Sequence, residues 1–133
     1  MTPVAVDSQT VQRAKLATFA FFLLAGVAFA SWASRIADAK IELGLSAGAL
    51  GATLFAMSVG SVLALPLTGR VVEKFGVVRT IRAGMLVSLV GAVVVGLGVD
   101  TFASRPIVMA GLFLLGIGVG GWDVAMNLEA TDV

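Results

Sequence analysis

Hydrophobic positions in this chain do not alternate with polar ones. They gather into four long uncharged blocks separated by short charged segments. Leu16 to Ser34 lies between Lys15 and Arg35, and Leu43 to Gly69 between Glu42 and Arg70. Ala83 to Val99 lies between Arg82 and Asp100, and Pro106 to Trp122 between Arg105 and Asp123. A helix needs roughly 17–25 mostly apolar residues to cross the hydrocarbon core of a bilayer, so each block predicts a span. Ser46 is a candidate N-cap, which starts the second helix near Ala47 and carries it to Thr68. Pro66 falls in the last turns of that helix, where proline can kink it. Pro106 suits the first turn of the fourth helix. That helix continues past Asp123, because Val124 to Ala130 contains neither Gly nor Pro. The expected fold is all-α: a polytopic membrane protein with spans at about 16–34, 46–68, 82–99 and 106–130, in a bundle over 16–133, after a cytoplasmic N-terminal tail over 1–15 whose residues 1–12 are polar and disordered.

Composition supports a membrane protein. Only 13% of the 133 residues are charged and 59% are hydrophobic, whereas a soluble domain carries about 25% charged residues. Without Cys or His, disulfides, zinc sites and imidazole chemistry are excluded. The basic residues sit at segment ends rather than along one helix face, which argues against nucleic acid as a partner. Ser31, Ser34, Ser58, Ser61 and Ser88 have no histidine to activate them. The run Gly116 to Gly121 is glycine-rich but lies inside an apolar block with no preceding strand, so a dinucleotide-binding reading fails. No enzyme activity, cofactor or metal is expected. A competing reading of the first block is a secretory signal peptide, with Arg13 and Lys15 before it and Ala28-Phe29-Ala30 as cleavage site. The apolar run continues to Ser34, longer than such a peptide's core.

Charge asymmetry predicts orientation. Arg13, Lys15, Arg70, Lys74, Arg79 and Arg82 fall on one side of the four spans, and Arg35, Lys40 and Arg105 on the other. The positive-inside rule puts the N-terminus, the 69–82 segment and the C-terminus in the cytoplasm, for a multi-pass protein of the inner (plasma) membrane.

Small residues recur at i+4. Gly44, Gly48, Ala52, Ala56, Gly60, Ala64 and Thr68 form one row in the second span, and Gly84, Ser88, Ala92 and Gly96 another in the third. The fourth has Gly116 and Gly120, the first Gly26, Ala30 and Ser34. In lipid, helices associate through close backbone approach at such rows, so packing is the main reading. Phe19, Phe21, Phe22, Leu23 and Leu24 then face lipid or fill gaps. Trp32 lies near the outer interface as an aromatic-belt residue.

Three places hold candidate chemistry. Gly69, Glu73, Lys74 and Gly76, followed by Arg79, form a charged, glycine-bracketed segment between two spans. It reads as a tight inner turn, with Gly for backbone freedom and an acid able to sit at a neighbouring helix N-terminus. The bland alternative is a solvated turn. Asp123 and Asn127 are i and i+4 on one helix face, with Gly116 and Gly120 on nearly the same line. An ionisable residue within a span is by default a functional hypothesis: a protonatable acid facing a polar cavity, exchanging a proton as substrate moves. The alternative pairs Asp123 with Lys74, Arg79 or Arg82. Arg35, beside Trp32 at the outer mouth, either attracts a polar substrate or snorkels to headgroups, and Arg105 and Asp100 have the same bland explanation.

Three segments carry a family resemblance. They are Trp32-Ala33-Ser34-Arg35-Ile36 with Leu43-Gly44-Leu45-Ser46; Gly60-Ser61 through Pro66-Leu67 into Gly69–Gly76; and Gly121-Trp122-Asp123-Val124-Ala125-Met126-Asn127. The chain resembles the N-terminal part of a major facilitator superfamily transporter, in the fucose-permease-like sugar branch, over nearly everything after Lys15. The resemblance implies a membrane helix bundle without cofactor, moving a small polar, sugar-like solute with protons. It implies that Asp123 is an acid near the cavity, Asn127 its polar neighbour, Glu73 the acid that steadies the interface between transporter halves, and Gly69 and Gly76 the turns of the signature loop. Val77 and Val78 stand where that loop usually continues with basic residues, and Arg79 is the first available substitute. The family has two six-helix halves, and this chain supplies four spans, so it reads as a fragment whose missing C-terminal helices are its partners. The alternative is a self-contained four-helix protein that self-associates through its small-residue rows, as a small exporter or a non-transporting interaction protein.

Overall fold

The computed structural model describes residues 8–131. Among the side chains it leaves undescribed are those of Arg13, Phe21, Phe22, Leu24, Ala28, Phe29 and Glu129. Readings placed on these, on residues 1–7 and on Asp132 lie outside the described residues. The chain forms four helices: α1 (Ser8–Glu42), α2 (Ala47–Phe75), α3 (Val77–Asp100) and α4 (Arg105–Thr131). Among the described residues α2, α3 and α4 up to Leu128 are each long and apolar enough to cross a membrane. The predicted first span lies wholly within α1. The protein is an all-helical, multi-pass membrane protein.

Two compact units divide the chain, residues 1–38 and 39–133. The first is the body of α1. Helix begins at Ser8 rather than Leu16, so residues 8–12 of the segment expected to be disordered are helical, and so are 13–15 of the tail. No Gly or Pro interrupts the chain between Ser8 and Gly26, and Ala, Lys, Arg and Gln all propagate helix well. Leu16, Phe19 and Leu23 are exposed.

The second unit opens with a Schellman turn that ends α1. Gly44 sits at φ 58, its N–H donates to the Ile41 carbonyl (3.0 Å) and that of Leu45 to the Lys40 carbonyl (2.9 Å), the two bonds that define the motif. Gly44 therefore belongs to the turn and not to the packing row of α2. Ser46 caps α2 as expected, its hydroxyl accepting from the Ala49 N–H at 3.2 Å. α2 continues through Pro66 to Phe75.

Helix α4 packs closely on both α2 and α3, which touch each other little. Gly84 lies against Gly118 and Trp122, Gly91 against Gly111 and Leu115, and Gly98 against Val108, so α3 is antiparallel to α4. Gly60 lies against Phe113 and Ile117, Gly120 against Ser61 and Ala64, and Gly121 near Thr68, so α2 is parallel to it. Val95, Val108, Leu112 and Ala125 are buried at these contacts.

The rows of small residues differ from expectation in register. On α3 the face toward α4 is Gly84, Ser88, Gly91, Val95 and Gly98. Ala92 is exposed and Gly96 has open space beside it. A strict i+4 row advances about 40° around the helix at each step, so it winds off the contact. Alternating steps of four and three hold a seam toward the partner. On α2 the row is covered only at Gly60, Ala64 and Thr68. Ala56 is half-buried, Ala52 is exposed and Gly48 has nothing within 4 Å. On α4, Gly116 and Gly120 meet α2 as a packing pair, and Gly111 and Gly118, on the opposite face, meet α3.

Candidate functional site

The charged segment expected as a loop is almost entirely helical. Gly69, Arg70, Glu73 and Lys74 lie in the last turns of α2, and Arg79 lies in the first turn of α3. A single interior Gly costs a helix only about 1 kcal/mol, so Gly69 does not end one that intact turns continue on both sides. The break is confined to Gly76, at φ 82 and ψ 159, a region of backbone space essentially reserved for Gly. The Gly76 N–H donates to the Val72 carbonyl at 2.8 Å. Its own carbonyl accepts from the Thr80 N–H at 3.2 Å and from the Thr80 hydroxyl at 2.8 Å. Thr80 is 5% exposed, so the junction is pinned from the α3 side by a buried hydroxyl. Glu73 is exposed and makes no hydrogen bond or ion pair among the described residues. The Lys74 ammonium lies 5.3 Å from the centre of the Phe75 ring.

Asp123 lies within the apolar α4 stretch that qualifies as a span. Gly116 and Gly120, on nearly the same line, are buried under α2, but Asp123 and Asn127 beyond them are exposed. The Asn127 amide nitrogen donates to the backbone carbonyl of Asp123 at 3.0 Å. That bond holds the amide on the same face and leaves the carboxylate unengaged among the described residues. Lys74, Arg79 and Arg82 do not pair with it. A cleft lined by Leu86, Val87, Val90 and Leu114 offers no polar group and does not include Asp123 or Asn127. Trp32 is half-buried and Arg35 exposed, both in α1.

One polar contact escaped the sequence reading. Arg105 donates from Nε to the Thr53 hydroxyl at 3.0 Å, and Thr53 donates to the Ala49 carbonyl at 2.7 Å. Thr53 is 2% exposed. Arg105 thus ties the start of α4 to the first turns of α2 rather than merely reaching for headgroups. Further along, the Ser61 hydroxyl donates to the Gly116 carbonyl at 3.0 Å. A Thr one turn inside a small-residue row was the available signal for the first contact. Nothing in the spacing pairs it with an Arg more than fifty positions away.

Set against known proteins, the chain is 39% identical over 114 residues to an uncharacterized MFS-type transporter of Yersinia pestis, covering 84% of this chain and 28% of that protein. It is 32% identical over 112 residues to an uncharacterized transporter of Sinorhizobium fredii, covering 84% of this chain and 29% of that protein. No protein-family model and no solved structure matches. The chain spans just over a quarter of the length of these relatives. Over most of its own length, this set of membrane helices is therefore similar to part of a major facilitator-type transporter, rather than to an enzyme.

Proposed function

We propose that this chain forms part of a secondary transporter that moves a small polar, sugar-like solute together with protons, with Asp123 and Asn127 on the path. The observation that carries the reading is an exposed carboxylate, unpaired among the described residues, within an apolar span, in a chain similar to an MFS-type transporter. A charge at membrane depth is expensive and is kept where it faces a water-filled cavity or a partner. Asp123 exchanges the proton, and Asn127, held one turn away, offers its amide oxygen to solute hydroxyls. Glu73 then faces the rest of the bundle from the end that the excess of Arg and Lys assigns to the cytoplasm. The sugar-like substrate class and the proton coupling rest on the motif resemblance at Gly121 to Asn127.

Asp123→Asn in the complete native reading frame tests this. Solute uptake driven by a proton gradient should be lost while membrane insertion and exchange of preloaded solute persist. Gradient-driven uptake by the variant at the wild-type rate rules out Asp123 as the coupling acid.

A second reading is favoured by the face at the start of α2 that α3 and α4 leave uncovered. Gly48 and Gly51 have no neighbour within 4 Å and Ala52 is exposed, which leaves a small-residue surface for self-association. Cross-linking of the chain in its native membrane separates the two readings by mass.

A further inference from the structure

We propose that Arg70, Lys74, Arg79 and Arg82, which bracket Gly76, form a docking patch for anionic phospholipid headgroups. All four are exposed. Two lie in the last turns of α2 and two in the first turns of α3, and both helices are membrane spans by length and composition. The cations therefore stand where two spans leave the hydrocarbon, at headgroup depth. Among the described residues none forms an ion pair, and the ring of Phe75 is the one partner of Lys74. The oppositely charged neighbour in the segment is Glu73, which leaves a net positive end.

Electrostatics among the described residues does not account for the whole cluster. Lys74 sits in the last turn of α2, where the helix dipole favours a cation. Arg79 sits in the first turn of α3, where the same dipole disfavours a cation. The first turn of α3 has no acidic residue and Gly76 supplies no side-chain cap. Arg79 is thus held against an unfavourable field, a cost that a bound anion removes. Exposed apolar side chains are interleaved with the cations: Phe75 is 50% and Val78 60% exposed. That mixture suits a lipid, whose phosphate meets the cations while its glycerol and acyl carbons meet Phe75 and Val78. An acidic protein segment would match the charges but not the apolar residues between them. Clusters of basic residues beside a span attract anionic headgroups in this way.

The inference does not depend on transport, and its test reads lipids rather than uptake. The chain is reconstituted in phosphatidylcholine vesicles containing a minority of phosphatidylglycerol, extracted in mild detergent, and its retained lipids are counted by native mass spectrometry. Wild type should retain phosphatidylglycerol several-fold above its share of the bilayer, and less so in high salt. The variant Arg70→Gln/Lys74→Gln/Arg79→Gln/Arg82→Gln should fall to the bulk share, whereas Lys40→Gln, in the last turn of α1, should not. If the fourfold variant loses helicity, the pairs Arg70→Gln/Lys74→Gln and Arg79→Gln/Arg82→Gln replace it, and each should lose part of the enrichment. Retention at the bulk share by wild type, or undiminished enrichment in the variants, overturns the proposal.

Discussion

Gly91 of α3 and Gly111 of α4 exclude side chains from each other. A Cβ added to Gly91 would come 2.8 Å from the Gly111 carbonyl oxygen, and one added to Gly111 would come 3.0 Å from the Gly91 carbonyl oxygen. The two backbones are the contact. Gly118 repeats it one heptad on, facing Ser88 and Gly84, so the backbones of α3 and α4 approach closely at more than one turn. Backbone approach of this kind supplies dispersion contact that lipid cannot match on both helices at once.

Gly91→Ala should be strongly destabilising. The new Cβ would lie 2.5 Å from the Leu115 nitrogen and 2.9 Å from its Cα, and backbone atoms cannot swing aside. Overpacking of this kind costs about 1–3 kcal/mol. Gly96→Ala, on the same helix but in open space, should be neutral or stabilise by up to about 1 kcal/mol. Helicity followed through an SDS titration in mixed micelles compares the two. Equal midpoints would mean that α3 does not pack on α4 in this register.

Gly69→Ala and Gly76→Ala should have opposite signs. Gly69 is helical with space around it, so Ala raises helix propensity there. Gly76 also has space around it, but its φ is 82, and forcing Ala into that region costs about 1–3 kcal/mol. The same titration reads both. A loss at Gly69 as large as that at Gly76 would restore the loop.

Thr53→Val and Arg105→Gln should be coupled. Each removes the 3.0 Å bond between α4 and α2, so the double variant should lose less than the two single losses added. A coupling of about 1 kcal/mol is expected for a partly buried bond to a charged donor. Strict additivity in the double-mutant cycle would show that the two side chains do not meet.

Ser61→Ala should cost little, about 0.6 kcal/mol, the average for hydrogen bonds between membrane helices. The Ser61 hydroxyl bonds the Gly116 carbonyl, an oxygen that keeps its own helical bond when the serine is gone. A loss several times larger would mean that the hydroxyl serves as a spacer as well.

Helix number and helical class were legible because they depend on local quantities. Uncharged length, the Ser46 cap and the position of Pro106 each act within a few residues, and the helices appear where those signals put them. Helix ends were less legible. Charges at Arg70 and Lys74 stop a hydrocarbon span but do not stop a helix, so α2 runs on to Phe75.

Sequence by itself also determined that glycines and hydroxyls would lie between helices, since apolar surroundings give polar backbone and small side chains nowhere better to go. Only the tertiary structure decided which of them do. Gly91 and Gly98 rather than Ala92 and Gly96 face α4, because the partner's direction selects one seam out of several that a helix carries. The same selection covers Gly116 and Gly120 yet leaves Asp123 and Asn127 open. Whether a residue on a helix face is packed or available depends on where its neighbour's path crosses that face, and no periodicity within one helix contains that crossing.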